Sequence, residues 1–365
     1  MTSEATKEGS GFLNALKSIR SVLAKLPFST ITVGGLYLIV LITGIINGFT
    51  FTRLLSDSLH LFGVWAILTL ANVPSIQSGS GPNFALPVGI VMGLLAMVLM
   101  MTLNLRGFVL IIASGALAIV LGALAGNLYG RLMNAVKGSE MAIAPYTGFA
   151  LTSLFSLVWF TIPITHPQMV MFLGDGLRQM ISFDYFGADR LLARLMYFEI
   201  GGLQVRTGEL IVVFICCALM ALFFRTKTGI AISAVGRNPM FAKAAGINVN
   251  KSRVIANMIS TAVAALGVVV YAQGFGFAQL YDFPLLMAFP AVAAILVGGA
   301  TGQRAKVSNV ILGTLLFQGL IATSLPVLTR VLAGTDVDQV INGVRMIIQN
   351  GIILYALSRM SKGGR

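Results

Sequence analysis

Phe108-Val-Leu-Ile-Ile-Ala-Ser-Gly-Ala-Leu-Ala-Ile-Val-Leu-Gly-Ala-Leu-Ala-Gly-Asn-Leu-Tyr129 runs for 22 residues without a charge. A helix rises about 1.5 Å per residue, so about 20 apolar residues cross the roughly 30 Å hydrocarbon core of a bilayer. This stretch reads as such a span. Near its end, Gly122-x-x-x-Gly126-x-x-x-Gly130 lines small residues along one face, the spacing of close helix packing in membranes.

Similar apolar runs lie outward from it at 30–49, 54–73, 84–103, 145–163, 209–224, 254–273, 283–299, 307–326 and 339–358. The composition agrees. Of 365 residues, 57% are hydrophobic and 10% charged, with mean hydropathy +0.90. A soluble domain carries roughly 25% charged residues, so a soluble globular enzyme and a disordered chain are excluded. The fold class expected is an all-α polytopic membrane protein of about ten transmembrane helices. The adjacent Cys216 and Cys217 sit inside an apolar run and read as small hydrophobes, not as a disulfide. The first run is long and lacks a small-residue cleavage site after it, so it reads as a span and not a signal peptide.

Net charge is +13. The basic residues cluster at span ends, which points to membrane orientation and not to nucleic acid. Segment 225–253 carries Arg225, Lys227, Arg237, Lys243, Lys251 and Arg253 and no acid, so it should be cytoplasmic. Counting outward puts 130–144 and 300–306 inside as well, and puts 164–208, 274–282 and 327–338 outside. Both termini are then cytoplasmic. The expected organisation is a cytoplasmic amphipathic N-terminal helix at 1–29, one transmembrane domain at 30–358 and a cytoplasmic tail at 359–365. Segment 164–208 reads as an outer docking surface, a lid or a spacer. Within it, 172–182 and 189–196 suggest short amphipathic helices.

No Walker A pattern, nucleophile elbow or catalytic constellation is present, and the two histidines, His60 and His166, have no metal-ligand spacing. The expected catalytic and metal residues are therefore none. Acids within the spans are scarce. Asp57 and His60 lie near the start of the second run, and Glu209 lies towards a span end. The chain reads as having no energy source of its own.

Three segments carry information. Ala234-Val-Gly-Arg-Asn-Pro-Met-Phe-Ala-Lys-Ala-Ala-Gly246 predicts a turn at Gly236, Arg237 and Asn238, then Pro239 at the first helical position. A short helix follows over Met240–Ala245, with Gly246 as its C-terminal cap. Phe241 offers an anchor, Ala242 permits close approach and Lys243 adds charge; the plain alternative is an ordinary surface loop. Asn72-Val-Pro-Ser-Ile-Gln-Ser-Gly-Ser-Gly-Pro-Asn83 is polar yet uncharged. It suggests an interrupted segment whose backbone re-enters the protein, with Gln77, Ser78 and Asn83 available to hydroxyl groups. The plain alternative is a simple turn. In the last run, Asn342, Arg345 and Gln349 share one helix face, suited either to an aqueous path or to helix–helix hydrogen bonding.

On Gly236, Asn238, Ala242 and Gly246-Ile-Asn-Val-Asn250, the chain resembles the cytoplasmic coupling loop of ribose/galactoside-type ABC importer permeases. Ala291-Val-Ala-Ala-Ile-Leu-Val-Gly-Gly299 and Gly313-Thr314 extend the likeness. Gly126 and Pro145-Tyr-Thr147 carry it upstream. It is strong over 230–320 and loose over the rest of 84–355. Departures exist: Ala85 stands where that family often has aspartate, and Arg237 and Pro239 replace commoner Gly and Glu. The resemblance implies a permease subunit in a bacterial inner membrane. Its implied partners are two ABC ATPase subunits that use ATP, an extracytoplasmic substrate-binding protein, and a second permease copy or similar permease within the lipid. No cofactor is implied for this chain. The solute implied is a small polar one, a sugar or a nucleoside. A self-sufficient secondary carrier or channel is the competing class, and an integral membrane enzyme the third.

Overall fold

The computed structural model describes residues 27–164, 166–172 and 176–331, together with 343, 346–347, 349–355 and 357–358 of the last apolar run. Residues 1–26 of the expected N-terminal helix, the tail 359–365, and Asn342 and Arg345 lie outside the described residues. Helix α1 is Phe28–Ile46, α2 Phe51–Leu70, α3 Asn72–Gln77, α4 Leu86–Thr102, α5 Gly107–Ala135 and α6 Glu140–Thr161. Strand β1 (Met180–Ser182), α7 (Leu191–Arg194), β2 (Tyr197–Ile200) and β3 (Leu203–Arg206) follow. Then come α8 (Thr207–Phe223), α9 (Lys227–Arg237), α10 (Pro239–Ala244), α11 (Val249–Phe275), β4 (Phe277–Gln279), α12 (Phe283–Val297) and α13 (Val307–Val331).

Among the described residues, six helical stretches are long and apolar enough to cross a membrane: α1, α2 continued through α3, α5, α6, α11 and α13. A seventh is present if α8 and α9, bent by 76° at their junction, count as one. Helices α4 and α12 have 17 and 15 residues. At about 1.5 Å per residue they fall short of the roughly 30 Å hydrocarbon core. Most residues of both are buried against other helices.

Helix α11 is the axis of the bundle, because glycines let its neighbours approach backbone to backbone. A Cβ on Gly122 would stand 2.9 Å from Ala262 Cα. One on Gly126 would stand 2.8 Å from Met258 Cα, and one on Gly130 2.9 Å from Val254 Cα. The glycine stripe of α5 is therefore a packing face, as its spacing predicted. Helix α4 repeats the device with Gly89 against Thr261 O and Gly93 against Ala265 O. Gly126→Val is expected to destabilise the protein by about 1–3 kcal/mol through overpacking, read as a lower thermal midpoint of the purified protein. Gly35→Val, where an added Cβ meets nothing within 4 Å, should leave the midpoint unchanged. Equal midpoints for the two variants would remove this account of the bundle.

The ends of the bundle differ in charge. At one end converge segments 77–83, 130–142, 225–253 and 300–306, with ten basic residues against Glu140 as the one acid. At the other end, segment 166–206 is fastened by β1 to β4, with Ile181 opposite Ala278. The Arg106 guanidinium lies 5.5 Å from the Tyr185 ring centre, and Gly107 N donates to Phe186 O at 3.0 Å. Here acids and bases are nearly balanced.

Two local expectations change. The stretch 172–182 forms no helix among its described residues. Leu177 bridges to Val170 and β1 pairs with β4, because Gly176 sits at φ +100° and a partner strand is available. The expected helix at 189–196 shrinks to Leu191–Arg194, between Arg190 and Met196, both at positive φ.

Candidate functional site

The polar segment 72–83 is half helix. Asn72–Gln77 prolongs α2, and the turn that follows is buried apart from exposed Gly79 and half-buried Gln77. Its polar side chains bond inward. Asn83 N donates to Asn72 Oδ1 at 3.1 Å, and Asn83 Nδ2 donates to Ser260 Oγ at 2.8 Å, while Asn83 Oδ1 accepts from Ala85 N at 3.0 Å. Ser260 Oγ donates to Ala71 O at 2.6 Å, and Ser75 Oγ to Gly81 O at 2.8 Å. Ser78 Oγ donates to Ser75 O at 2.8 Å, and Gln77 Nε2 donates to Ala305 O. Ala85, where the resembled family often has an acid, is fully buried. Burial of so many polar groups is tolerable because each of these atoms has a partner. The segment is a stopper between α11 and the 300–306 turn.

Helix α9 presses on this stopper. A Cβ on Gly236 would stand 2.1 Å from Gln77 O and 2.9 Å from Gly79 N, so only glycine permits the contact. The sequence suggested a turn at this glycine; instead α9 continues through Arg237. Arg253 closes the arrangement. Its Nη2 donates to Gly79 O at 3.1 Å and to Glu140 Oε1 at 2.7 Å. The second oxygen of Glu140 accepts from Gly138 N at 2.7 Å. Lys137 reaches Asn250 Oδ1. Apart from the local Gly138–Glu140 bond, these links join residues more than a hundred positions apart and had no sequence signal beyond the residues' charge.

Beyond α9 the chain turns at Asn238. Its Oδ1 accepts from Phe241 N at 3.0 Å, capping α10, and Pro239 takes the first helical position. The helix ends where Gly246 adopts φ +79° and Ile247 N donates to Ala242 O at 2.9 Å. Met240 is 84% exposed and Phe241 67%. Ala242, expected to receive a partner, instead faces inward and is fully buried. Arg237, Asn238, Pro239, Lys243 and Gly246 are exposed. Two shallow grooves flank α10. One is lined by Phe224, Ile230, Ala234 and Phe241, the other by Lys137, Met240, Lys243, Ile247 and Val249. Exposed aromatic and thioether side chains amid cations, at the basic end of a membrane bundle, form a surface suited to another protein.

Residues 54–349 match the family model described as "Branched-chain amino acid transport system / permease component". This chain belongs to that family. The permease is thus a transport subunit and a multi-pass protein of the inner membrane. It is 25% identical over 238 residues to the galactofuranose transporter permease protein of Escherichia coli, covering 59% of this chain and 66% of that one. Over 94 residues, 25% of each chain, it is 36% identical to the nucleoside ABC transporter permease protein of Lactococcus lactis subsp. cremoris. It is also similar to the tyrosine transport system permease protein of Clostridioides difficile, with 26% identity over 33% of this chain and 44% of that one. Each match spans less than two thirds of the relative's own length. A metal-chelate type ABC transporter solved in an inward-facing conformation aligns over 90% of this chain and 99% of its own, at 13% identity and TM-score 0.44.

Among the other expected residues, Gln349 is helical and half-buried. The sequence did not pair His60 with Glu209, yet His60 Nδ1 lies 3.0 Å from Glu209 Oε2, inside the bundle near the end opposite α10.

Proposed function

We propose that the permease forms the translocation path of an ABC importer for a small, uncharged polar solute, most simply a sugar or a nucleoside. The observation that carries this reading is α10: a capped helix with Phe241 and Met240 exposed at the basic end, joined through α9 to both the bent span and the stopper. By the positive-inside rule that end is cytoplasmic. With the last run 339–358 counted, and α4 and α12 counted as spans, the chain crosses ten times and both termini are cytoplasmic. ATP acts on two partner ATPase subunits, which dock over exposed Arg237, Asn238, Pro239, Phe241, Lys243 and Gly246, while buried Gly236 and Ala242 hold that surface against the bundle. This chain has no nucleotide site and no cofactor of its own. A substrate-binding protein delivers solute at the opposite end, and a second copy or similar permease completes the path. The galactofuranose and nucleoside relatives support the solute class.

Gln77, Ser78, Asn83, Asn342, Arg345 and Gln349 line the path when the stopper withdraws. In the closed arrangement the hydrogen bonds of Asn83 hold the stopper shut. Cysteine at Asn83 in a chain lacking Cys216 and Cys217 should react with a water-soluble thiol reagent in one transport state and not in the other. Protection in both states would make it a permanent strut. Copurification of an ATPase subunit whose activity the solute and its binding protein stimulate tests the reading as a whole. A chain that moves solute alone would replace it with the carrier reading, which the intramembrane His60–Glu209 pair favours.

A further inference from the structure

Strands β2 and β3 make a hairpin that no step of transport requires. Gly201 and Gly202 form its two-residue turn, with φ +57° and +81°, as a tight hairpin demands. The register pairs Phe198 with Val205 and Ile200 with Leu203 on one face, and Tyr197 with Arg206 and Glu199 with Gln204 on the other. One face is wholly apolar and the other polar. The apolar face is open on β2, where Phe198 is 49% exposed and Ile200 72%, while Leu203 and Val205 on β3 are half-buried. A lone two-stranded hairpin is marginal in water, and a partly open apolar face makes it more so.

Its attachment fixes its depth. The hairpin meets the bundle by an edge, where Gln204 N donates to Ser56 Oγ at 2.9 Å and Gly202 lies beside Thr52. Thr52 and Ser56 belong to the first two turns of the spanning helix that begins at Phe51. The hairpin therefore projects sideways at the level where that span emerges from the hydrocarbon. Phe51, next to Thr52 in the chain, and Ile211, in the second turn of α8 just after β3, are exposed apolar side chains as well. Because the amide of Gln204 points to Ser56, its partner Glu199 sits in a non-hydrogen-bonded pair, with N–H and C=O directed off the free edge of β2. Those groups need water or headgroups and are not tolerated in the acyl core.

We infer that this hairpin is an interfacial lipid-binding element. Phe198, Ile200, Leu203 and Val205 rest on the acyl chains, and Tyr197, Glu199, Gln204 and Arg206 lie among headgroups and water. The physics is that of an amphipathic interfacial helix, with a period of two in place of 3.6.

The test is a nitroxide spin label at Ile200→Cys and, separately, at Glu199→Cys. Each is made in the full chain with Cys216 and Cys217 replaced by alanine and reconstituted in phosphatidylethanolamine–phosphatidylglycerol vesicles. Molecular oxygen should relax the Ile200 label several-fold more than a water-soluble nickel chelate does, and the order should reverse at Glu199. Phe198→Cys serves if Ile200→Cys does not fold. A label at either apolar position that prefers the nickel chelate overturns the inference and makes the hairpin a solvent-facing docking edge. A label shielded from both reagents overturns it in favour of contact with a second copy.

Discussion

His60→Leu is expected to destabilise the permease by about 1–3 kcal/mol, the cost of leaving a buried hydrogen-bonding group without its partner. Glu209 is fully buried, and its carboxylate occupies a slot made by two absent side chains. A Cβ on Gly63 would stand 3.1 Å from Oε2, and one on Gly274 3.2 Å from Oε1. His60 Nδ1, at 3.0 Å, is the partner of Oε2, and Oε1 has no hydrogen-bond partner. Glu209→Gln keeps the volume and a hydrogen-bonding group facing His60, so its loss should be smaller. The doubly apolar His60→Leu, Glu209→Leu should recover much of the stability, since replacing both partners of a buried polar pair by apolar groups can be nearly neutral. A double-mutant cycle on thermal unfolding reads the coupling. If His60→Leu and the double variant lose equally, the two residues do not act as a pair.

Phe241→Ala is expected to abolish most coupling of ATP hydrolysis to transport while leaving insertion intact. A central aromatic anchor at an interface is worth at least about 2 kcal/mol, or roughly thirtyfold in the affinity of the docked subunit. Solute-stimulated ATPase activity of the reconstituted complex should fall accordingly. The fold should not suffer, because the side chain lies outside it. Gly246→Val acts differently. An added Cβ there meets nothing within 4 Å, so the variant loads only the backbone at φ +79°. It should loosen α10 by about 1 kcal/mol and weaken coupling partially. Normal stimulation in Phe241→Ala would remove α10 from the docking surface.

The helices were legible because their signal is local: nine of the apolar runs correspond to α1, α2, α4, α5, α6, α8, α11, α12 and α13. Their depth in the bundle was less so. Composition cannot tell that 86–102 and 283–297 are short helices enclosed by others, because lipid and protein interior select the same apolar residues. The α10 caps were readable at Asn238, Pro239 and Gly246, since capping needs particular residues at fixed offsets. The inward turn of Ala242 was not, because a small residue suits both faces of a short helix. The hairpin did have a signal, Gly201-Gly202 between Phe-Glu-Ile and Leu-Gln-Val, which the search for helices passed over. The pairings His60–Glu209 and Arg253–Glu140 join residues 149 and 113 positions apart, and a single sequence carries no trace of such distances.

Where α4 and α5 approach α11 most closely, they do so at glycines, against its main chain. Such a joint has no long side chains to bend or change rotamer, so its compliance is low and the three helices should travel as one stiff body. Helix α8 is held otherwise, by side chains such as the His60–Glu209 pair, and it ends at the 76° elbow before α9. On the proposed coupling role, a push delivered at α10 would find its slack there, with the elbow and the segment beneath Gly236 taking up the strain and the glycine-jointed block serving as the fulcrum.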